Sequence, residues 1–411
     1  MLRMKSALRD KWHLLIVLIG LLLLSALSVA NSVQKIADWA QEDDADPATA
    51  VELAETGFDS GDSLPETVTD EAEGENRRQN SLAGSFNVSN KIDGAVNHVN
   101  RLWERSIYKK AKWSRIDSVY TYCATGEIAS VQVICGSDGW LFYKSGNGGD
   151  TVADYEGKNY YSEEELKRFL QPVFKTQEML EKREIQFALM VSPNKESIYS
   201  DYMPKQYHHE PVSRTDLLLK YLEDHEIHAV SPKESLLDSK SEYQLYYPND
   251  SHWNQLGAYI GVKDILSLWN IELPELSERT VISFELKGNY HEGANDDLAR
   301  MAGLITFVDH EMEYQVEGTI QPDWEAFGAE QTQGVLSHFV NDTADIQKTL
   351  FLIGDSFRFS MVPVLSEVFR DVYVIHRDSY MPEILDIVQP DFLISEYVER
   401  FSEEIANADF L

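Results

Sequence analysis

Short apolar runs alternate with amphipathic helical patterns along most of the chain after residue 160. The runs lack polar alternation, which is typical of strands buried on both faces of a parallel sheet. The pattern therefore predicts an α/β fold, with helices on both faces of the sheet and ligands at the carboxyl ends of its strands. The predicted strands are 185–191, 227–230, 350–353, 372–375 and 392–394, and the predicted helices are 162–184, 215–225, 254–269, 357–369 and 381–388.

Two stretches depart from this rhythm. Residues 270–345 follow neither pattern, and we interpret them as an insertion or lid without a predicted position. Before residue 160, helical spacing at 96–112 is followed by a turn and a dense aromatic strand at 136–143. Order is expected to begin near residue 90.

The N-terminus predicts the compartment. Four basic residues (Arg3, Lys5, Arg9 and Lys11) precede an apolar run over 14–30, which is just long enough to span a bilayer. We expect residues 1–12 to stay cytoplasmic and 13–30 to form a single-pass signal-anchor in the cell membrane. The alternative is a cleaved signal peptide, because Ser28-Val29-Ala30 fits the small-residue cleavage pattern. Both alternatives export the rest of the chain, to the periplasm or the cell exterior.

The charge of the chain is strongly acidic and uneven. The net charge is -33, and residues 42–75 hold thirteen acidic residues and no Lys or Arg. Such a chain would repel a polyanionic backbone, so nucleic acid is excluded as a partner. Residues 31–89 are poor in large apolar side chains and are predicted to be a disordered acidic linker. The remaining 90–411 would then form the folded domain.

The cysteine and histidine positions limit the possible metal and redox chemistry. In an exported domain, Cys123 and Cys135 are expected to form a disulfide, which would contribute about 3 kcal/mol on an entropic argument. The alternative is two buried free thiols. Their spacing excludes a CxxC redox motif and a four-ligand zinc site. The eleven histidines form no cluster with metal-ligand spacing, so no metal is predicted.

Two motifs carry candidate catalytic chemistry. Ser356 stands in Gly354-Asp355-Ser356-Phe357, directly between an apolar strand and a helical pattern. A serine on such a turn is exposed, and free backbone N–H groups beside it can bind an oxyanion. Asp250 and His252, in Asp250-Ser251-His252-Trp253, project from one face if the segment is extended. His252 could then act as the general base for Ser356, with Asp250 orienting its imidazole. The alternatives are a helix cap at the serine and a packed histidine in a solvated loop.

The order of several motifs resembles the SGNH-hydrolase-like domain of the alginate O-acetyltransferases, the AlgX/AlgJ type. The collinear segments run from about residue 136 to 400, nearly the whole ordered region. Besides the two motifs above, they include Gly257-Ala258, Asp138-Gly139-Trp140-Leu141-Phe142-Tyr143, Pro193-Asn194-Lys195 with Tyr199 and Pro204, Asp297-Leu298-Ala299-Arg300-Met301, and Pro390-Asp391 with Glu399-Arg400.

This resemblance implies a three-layer SGNH-hydrolase-like sheet and an acyltransferase that acetylates an exported polysaccharide. Carried over by motif, Ser356 would be the nucleophile, His252 the base and Asp250 its orienting partner. Lys195 and Tyr199 match positions near that site, and no extra C-terminal carbohydrate-binding module is expected. The chain departs from ordinary SGNH esterases because the serine motif comes last and the histidine motif is DxH.

Further residues and partners are expectations of the same kind. Asn194 could serve as a second oxyanion donor, and Trp253 could wall the site, although such a tryptophan is more often core. No bound cofactor is needed. Acetyl-CoA is cytoplasmic, so an exported enzyme needs a membrane-spanning acyltransferase that relays the acetyl group. Two other functions stay open: a carbohydrate acetyl esterase with the same three residues, and a non-catalytic surface scaffold or glycan-binding protein.

Overall fold

A computed structural model describes residues 130–146, 149–285, 296–304 and 312–407, together with Tyr122 and Ile128. All of them belong to one unit, Arg115–Leu411. The predicted segments 1–12, 13–30 and 31–89, the predicted helix 96–112 and Cys123 lie outside the described residues. Within the described part of the chain, no helix combines the length and the apolar character that a membrane crossing requires.

Strands and helices alternate through most of the described residues. The strands are β1 (Val133–Cys135), β2 (Leu141–Tyr143), β3 (Ser145–Gly146), β4 (Gly149–Asp150), β5 (Gln186–Ser192), β6 (Ala229–Val230), β7 (Val281–Glu285), β8 (Met312–Val316), β9 (Ser337–Val340), β10 (Ile346–Gly354), β11 (Phe369–His376) and β12 (Phe392–Val398). The helices are α1 (Thr151–Tyr155), α2 (Glu163–Phe169), α3 (Gln171–Lys182), α4 (Lys195–Ile198), α5 (Arg214–Glu223), α6 (Lys233–Ser239), α7 (Gln255–Ser267), α8 (Asp297–Met301), α9 (Trp324–Thr332), α10 (Arg358–Val368) and α11 (Pro382–Val388).

The central sheet has six strands in the order β6-β5-β12-β10-β11-β9. Every neighbouring pair from β6 to β11 is parallel, which places the carboxyl ends of β5, β12 and β10 side by side. The prediction of a wholly parallel sheet is wrong at one edge, because β9 pairs antiparallel with β11. Only five residues, 341–345, separate β9 from β10. A parallel return needs a crossover of a dozen residues or more, so this connection can only reverse the chain direction.

Apolar side chains cover both faces of the sheet, which gives three layers. On one face, residues of β10 such as Leu350 and Leu352 pack in a core with α7 and α10. On the other face, Phe351 and Ile353 pack in a second core with α2, α3, α5 and α11. Alternate residues of one strand thus enter opposite cores, as the pleat requires. Burial on both faces explains why these strands carry no polar alternation.

The predicted helix 162–184 is two helices. Ser162 and Glu165 form the predicted capping box at the start of α2. The chain then breaks at Leu170, and α3 begins at Gln171 with Pro172 in its first turn. Proline has no N–H to donate and its ring clashes with the preceding turn, so it is tolerated at the start of a helix and interrupts one elsewhere.

The insertion 270–345 has structure of its own. β7 and β8 pair antiparallel, while α9 and β9 lead back to the central sheet. α8 packs against the β1–β2 hairpin, where Leu298 and Leu304 share a small core with Val133 and Leu141. This contact brings the insertion to the same edge of the domain as the histidine motif.

Candidate active site

Ser356 lies in the turn that joins β10 to α10, at the carboxyl end of a central strand. Its neighbour Asp355 holds this turn: one carboxylate oxygen accepts the N–H of Phe357 (3.0 Å) and the other accepts the N–H of Val398 (2.7 Å). The N-cap residue of α10 is Phe357, so the hydroxyl of Ser356 does not cap the helix. The turn is also bonded directly to the end of β12.

A close contact behind this turn explains Gly354. A Cβ at Gly354 would lie 2.7 Å from Oε2 of Glu396 and 3.1 Å from its Cβ. Glu396 is fully buried, accepts the hydroxyl of Ser192 (2.7 Å) and accepts the N–H of Asp355 (3.1 Å). Burial raises the pKa of Glu396 well above its usual range, because the charged form loses its contact with water. Only glycine allows β12 to hold the serine turn this closely.

The histidine motif lies in a loop closed by an isolated bridge between Tyr246 and Trp253. Trp253 is fully buried, and its indole N–H donates to the backbone oxygen of Phe357 (2.9 Å). This bond ties the loop that carries Asp250 and His252 to the serine turn. Trp253 therefore supports the site from the core.

The start of α7 fixes where this loop ends. The side-chain oxygen of Asn254 accepts the N–H groups of Leu256 (2.9 Å) and Gly257 (3.2 Å), as expected of an N-cap. A Cβ at Gly257 would lie 2.5 Å from the backbone oxygen of Leu245. Gly354 and Gly257 thus have the same effect: each lets the backbone next to the site pack closely against a neighbouring segment.

The structure brings Asp250, His252 and Ser356 into one hydrogen-bonded chain. His252 Nδ1 lies 2.6 Å from Asp250 Oδ1, and His252 Nε2 lies 2.7 Å from Ser356 Oγ. An ionised carboxylate only accepts hydrogen bonds, so Nδ1 carries the proton and Nε2 accepts the hydroxyl of Ser356. The backbone N–H of His252 also donates to Asp250 Oδ1 (2.8 Å). This arrangement can move the proton of Ser356 to His252.

The charges of the pair favour this arrangement. Burial alone would raise the pKa of Asp250, but the His252 imidazole and the N–H donors hold it below its usual range. Burial likewise opposes protonation of His252, yet the Asp250 carboxylate outweighs it, and the pKa of His252 is raised above its ordinary value of 6.5. Asp250 is therefore ionised, and His252 is a stronger base than a free histidine.

Asp297 belongs to the site, although sequence analysis gave it no role. Its carboxylate accepts the N–H (2.7 Å) and the hydroxyl (2.6 Å) of Ser251, while its own N–H donates to Asp250 Oδ2 (2.9 Å). These bonds form a ring that holds the carboxylate of Asp250 in place. The Asp-Leu-Ala motif at the start of α8 was the available signal, and its contact with the loop required the tertiary structure.

Three of these groups could hold a metal ion by position. Ligand atoms of Asp250, His252 and Asp297 lie within 4.8 Å of one another. The same atoms already take part in the hydrogen bonds described above, and His252 Nδ1 carries a proton directed at Asp250. A metal would have to displace that proton and the bond to Asp250, so the residues fit a hydrogen-bonded chain better than a metal site.

Lys195 and Tyr199 lie close to the site, and their polar groups bond to the protein backbone. Lys195 Nζ donates to the backbone oxygens of Tyr247 (3.0 Å), Pro248 (3.0 Å) and Asp250 (2.6 Å) and is buried. The hydroxyl of Tyr199 accepts the N–H of Leu245 (2.8 Å), and burial raises the pKa of Tyr199 to about 12. Both positions therefore support the loop 245–250.

Asn194 lies at the carboxyl end of β5 and is 1% exposed. Its backbone N–H donates to Glu399 (3.0 Å), and neither polar atom of its side chain has a hydrogen-bond partner among the described residues. In the sheet, β12 lies between β5 and the strand of Ser356. Asn194 is therefore one strand further from the serine than the residues that follow β12.

The expected disulfide is not supported. Cys135 is a free thiol at the end of β1, and its sulfur lies 3.6 Å from the backbone oxygen of Gly136. Burial raises the pKa of the Cys135 thiol, which makes it a poor nucleophile. Cys123 lies outside the described residues.

A three-layer α/β sheet with a serine at a central strand end, facing a histidine, is typical of the SGNH-hydrolase-like class of domains. A family model described as an SGNH hydrolase-like domain, acetyltransferase AlgX, matches residues 133–372. The chain belongs to this family, which confirms the resemblance read from the motifs. No curated protein matches the chain.

Several solved structures are similar to this chain at low identity. PatB1 from Bacillus cereus, solved with a sulfonyl adduct, has 13% identity and a TM-score of 0.47 over 67% of this chain and 97% of its own. A DHHW family protein from Eubacterium siraeum has 18% identity and a TM-score of 0.45 over 69% and 98%. The O-acetyltransferase domain of Pseudomonas putida AlgJ has 14% identity and a TM-score of 0.41 over 67% and 98%.

Proposed function

We propose that this protein is an O-acetyltransferase that acetylates an exported polysaccharide through an acetyl-Ser356 intermediate. The observation that carries this proposal is the unbroken chain of short hydrogen bonds from Asp250 through His252 to the hydroxyl of Ser356. Membership of an acetyltransferase family supports the type of group transferred. The alternatives of an acetyl esterase and a non-catalytic scaffold are outcomes of the test below.

Two acyl transfers make up the reaction. Ser356 Oγ attacks the donor's acetyl carbon while His252 Nε2 takes the hydroxyl proton, and the carbonyl electrons move to oxygen. Collapse breaks the bond to the leaving group, which takes the proton from His252. A sugar hydroxyl then gives its proton to His252 and attacks the acetyl-serine, and Ser356 leaves with the proton. Asp250 stabilises the imidazolium in both halves.

The compartment determines the donor. We infer that residues 13–30 anchor the protein in the membrane, with the domain outside the cytoplasm, or that they are cleaved after export. Acetyl-CoA does not reach that side. A membrane-spanning acyltransferase would therefore relay the acetyl group to Ser356. The partners of the chain would then be that acyltransferase and the exported polymer.

The test follows the acetyl group on the protein. The full chain in detergent is incubated with para-nitrophenyl acetate, with and without a neutral oligosaccharide acceptor, and its intact mass is measured. The expected result is one added acetyl group on the wild type, none on Ser356→Ala, and acetylated oligosaccharide. Release of free acetate alone would favour an esterase. Absence of both adduct and turnover would favour the non-catalytic scaffold.

A further inference from the structure

Arg400 follows β12, the strand next to that of Ser356. β12 ends at Val398, whose N–H donates to Asp355 in the serine turn (2.7 Å). The parallel register of β10 and β12 places the carboxyl ends of the two strands side by side. Arg400, two residues beyond Val398, is therefore next to the turn that carries Ser356.

The guanidinium of Arg400 lies among aromatic rings, and no carboxylate in the described part of the chain forms an ion pair with it. Its Cζ lies 5.5 Å from the ring centre of Phe357 and 5.3 Å from those of Tyr143 and Phe401. The Phe357 ring in turn lies 5.0 Å from the imidazole of His252.

No described carboxylate or carbonyl accepts a hydrogen bond from Arg400, which is 9% exposed. Arg377 is different, because it shares the Phe401 ring but is paired with Glu404 (2.6 Å). The charge of Arg400 acts on the buried carboxyl group of Glu196 and opposes the rise of its pKa, but no ion pair joins the two groups within the described residues. Five N–H donors are thus available next to the reacting serine.

The site as described has one other free donor for an oxyanion. The N–H of Ser356 has no acceptor within the described part of the chain. The N–H of Phe357 is occupied by Asp355, and Asn194 lies beyond β12, one strand further away. An acyl-transfer site usually offers at least two donors to the developing oxyanion. A second donor is therefore expected, and Arg400 borders the same turn through the ring of Phe357.

We propose that Arg400 is a catalytic residue that donates to the carbonyl oxygen of the acetyl group while it reacts at Ser356. When Ser356 Oγ bonds to the acetyl carbon, the carbonyl electron pair moves to oxygen and creates a full negative charge. The guanidinium and the Ser356 N–H share that charge. When the leaving-group bond breaks, the pair returns to the carbonyl and Arg400 is unchanged. This inference rests on the proposed acyl-transfer function.

The test compares Arg400→Met and Arg400→Lys with the wild-type full chain in detergent. Arg400→Met should slow acetylation of Ser356 by para-nitrophenyl acetate by about 100- to 1000-fold, with KM nearly unchanged. It should weaken inhibition by phenylboronic acid by a similar factor, because boronate forms a tetrahedral anion on the serine. A purely structural role would not produce this parallel loss. Arg400→Lys keeps the charge and should recover part of the rate, and it stays informative if the Met variant fails to fold.

The control is Arg370→Met, at an exposed arginine paired with Asp342 and Asp371, which should keep the wild-type rate. A wild-type acetylation rate in Arg400→Met would overturn the inference, as would a rate loss without weaker boronate inhibition. Loss restricted to transfer onto acidic oligosaccharides would overturn it too, since Arg400 would then bind the acceptor. A wild-type chain that forms no acetyl-Ser356 would instead overturn the proposed function itself.

Discussion

Replacing Lys195 by methionine tests how the histidine loop is held in place. The Lys195 ammonium donates to three backbone oxygens of residues 247–250 and lies 5.5 Å from the Trp140 ring centre. Methionine keeps most of the aliphatic stem but provides no donor. The three oxygens would lose a charged partner, and the loop carrying Asp250 would be free to shift.

The size of the effect follows from these contacts. Hydrogen bonds to a charged group contribute about 1.5–3 kcal/mol each, while removing a buried ammonium recovers several kcal/mol of desolvation. The unfolding free energy of Lys195→Met should therefore fall by about 2–4 kcal/mol. A displacement of the base by about 1 Å can lower the rate about 100-fold, so kcat should fall while KM changes little.

The assay pairs urea unfolding, followed by tryptophan fluorescence, with turnover of para-nitrophenyl acetate. Lys240→Met is the matched control, because Lys240 also lies over an aromatic ring, that of Tyr199 (5.9 Å), but its ammonium donates to Ile198 and Asp201 and not to residues 247–250. It should keep the wild-type kcat. An increase in KM alone in Lys195→Met, with unchanged unfolding free energy, would refute this reasoning and make Lys195 a substrate contact.

Three further predictions concern Asp297, His252 and the buried carboxyl group of Glu196. Asp297→Ala should lower kcat about 10- to 100-fold at unchanged KM, because Asp250 loses its positioning ring; steady-state kinetics would contradict this if kcat is unaltered. The raised pKa of His252 implies that acetylation of the serine rises with pH through a midpoint above 6.5, and a midpoint below 6.5 in a pH–rate profile would contradict it. Burial raises the pKa of Glu196 from 4.5 to about 8, so the unfolded chain releases this proton first and stability falls as pH rises from 4.5 to 8. Glu196→Gln should remove on the order of 4 kcal/mol of that fall, which urea unfolding at pH 5 and pH 8 would detect.

The parts of the fold that follow local rules could be predicted from the sequence. β10 and β12 are apolar runs because both faces are buried, and the capping box at Ser162 needs only residues of its own turn. The spacing of Asp250 and His252 is local as well, and the structure brings both to Ser356. Their roles in acyl transfer remain predictions that the proposed experiments test.

The features that could not be predicted depend on contacts between distant segments. Asp297 bonds to a loop 47 positions earlier in the chain, and its Asp-Leu-Ala motif does not indicate which segment it contacts. β9 lies in the segment 270–345, for which no strand was predicted. Its antiparallel direction, which follows from the short connection to β10, could therefore not be predicted. For Lys195, the motif predicted only a position near the site, and its hydrogen bonds to backbone oxygens depend on how the loop 247–250 packs.

The histidine motif precedes the serine motif in this chain, yet the two still meet. The strands of a sheet can be neighbours in any sequence order, so their ends can lie together whichever comes first. β10 and β12 meet at their carboxyl ends, and the bond from Trp253 to Phe357 brings the loop after α6 to the same place. The proposed chemistry requires a serine whose hydroxyl and N–H are not used in the hydrogen bonds that hold the turn. The carboxyl groups of Asp355 and Glu396 hold the turn instead, by accepting the N–H groups of Phe357 and Asp355. The hydroxyl of Ser356 thereby bonds to His252, and its N–H has no acceptor among the described residues.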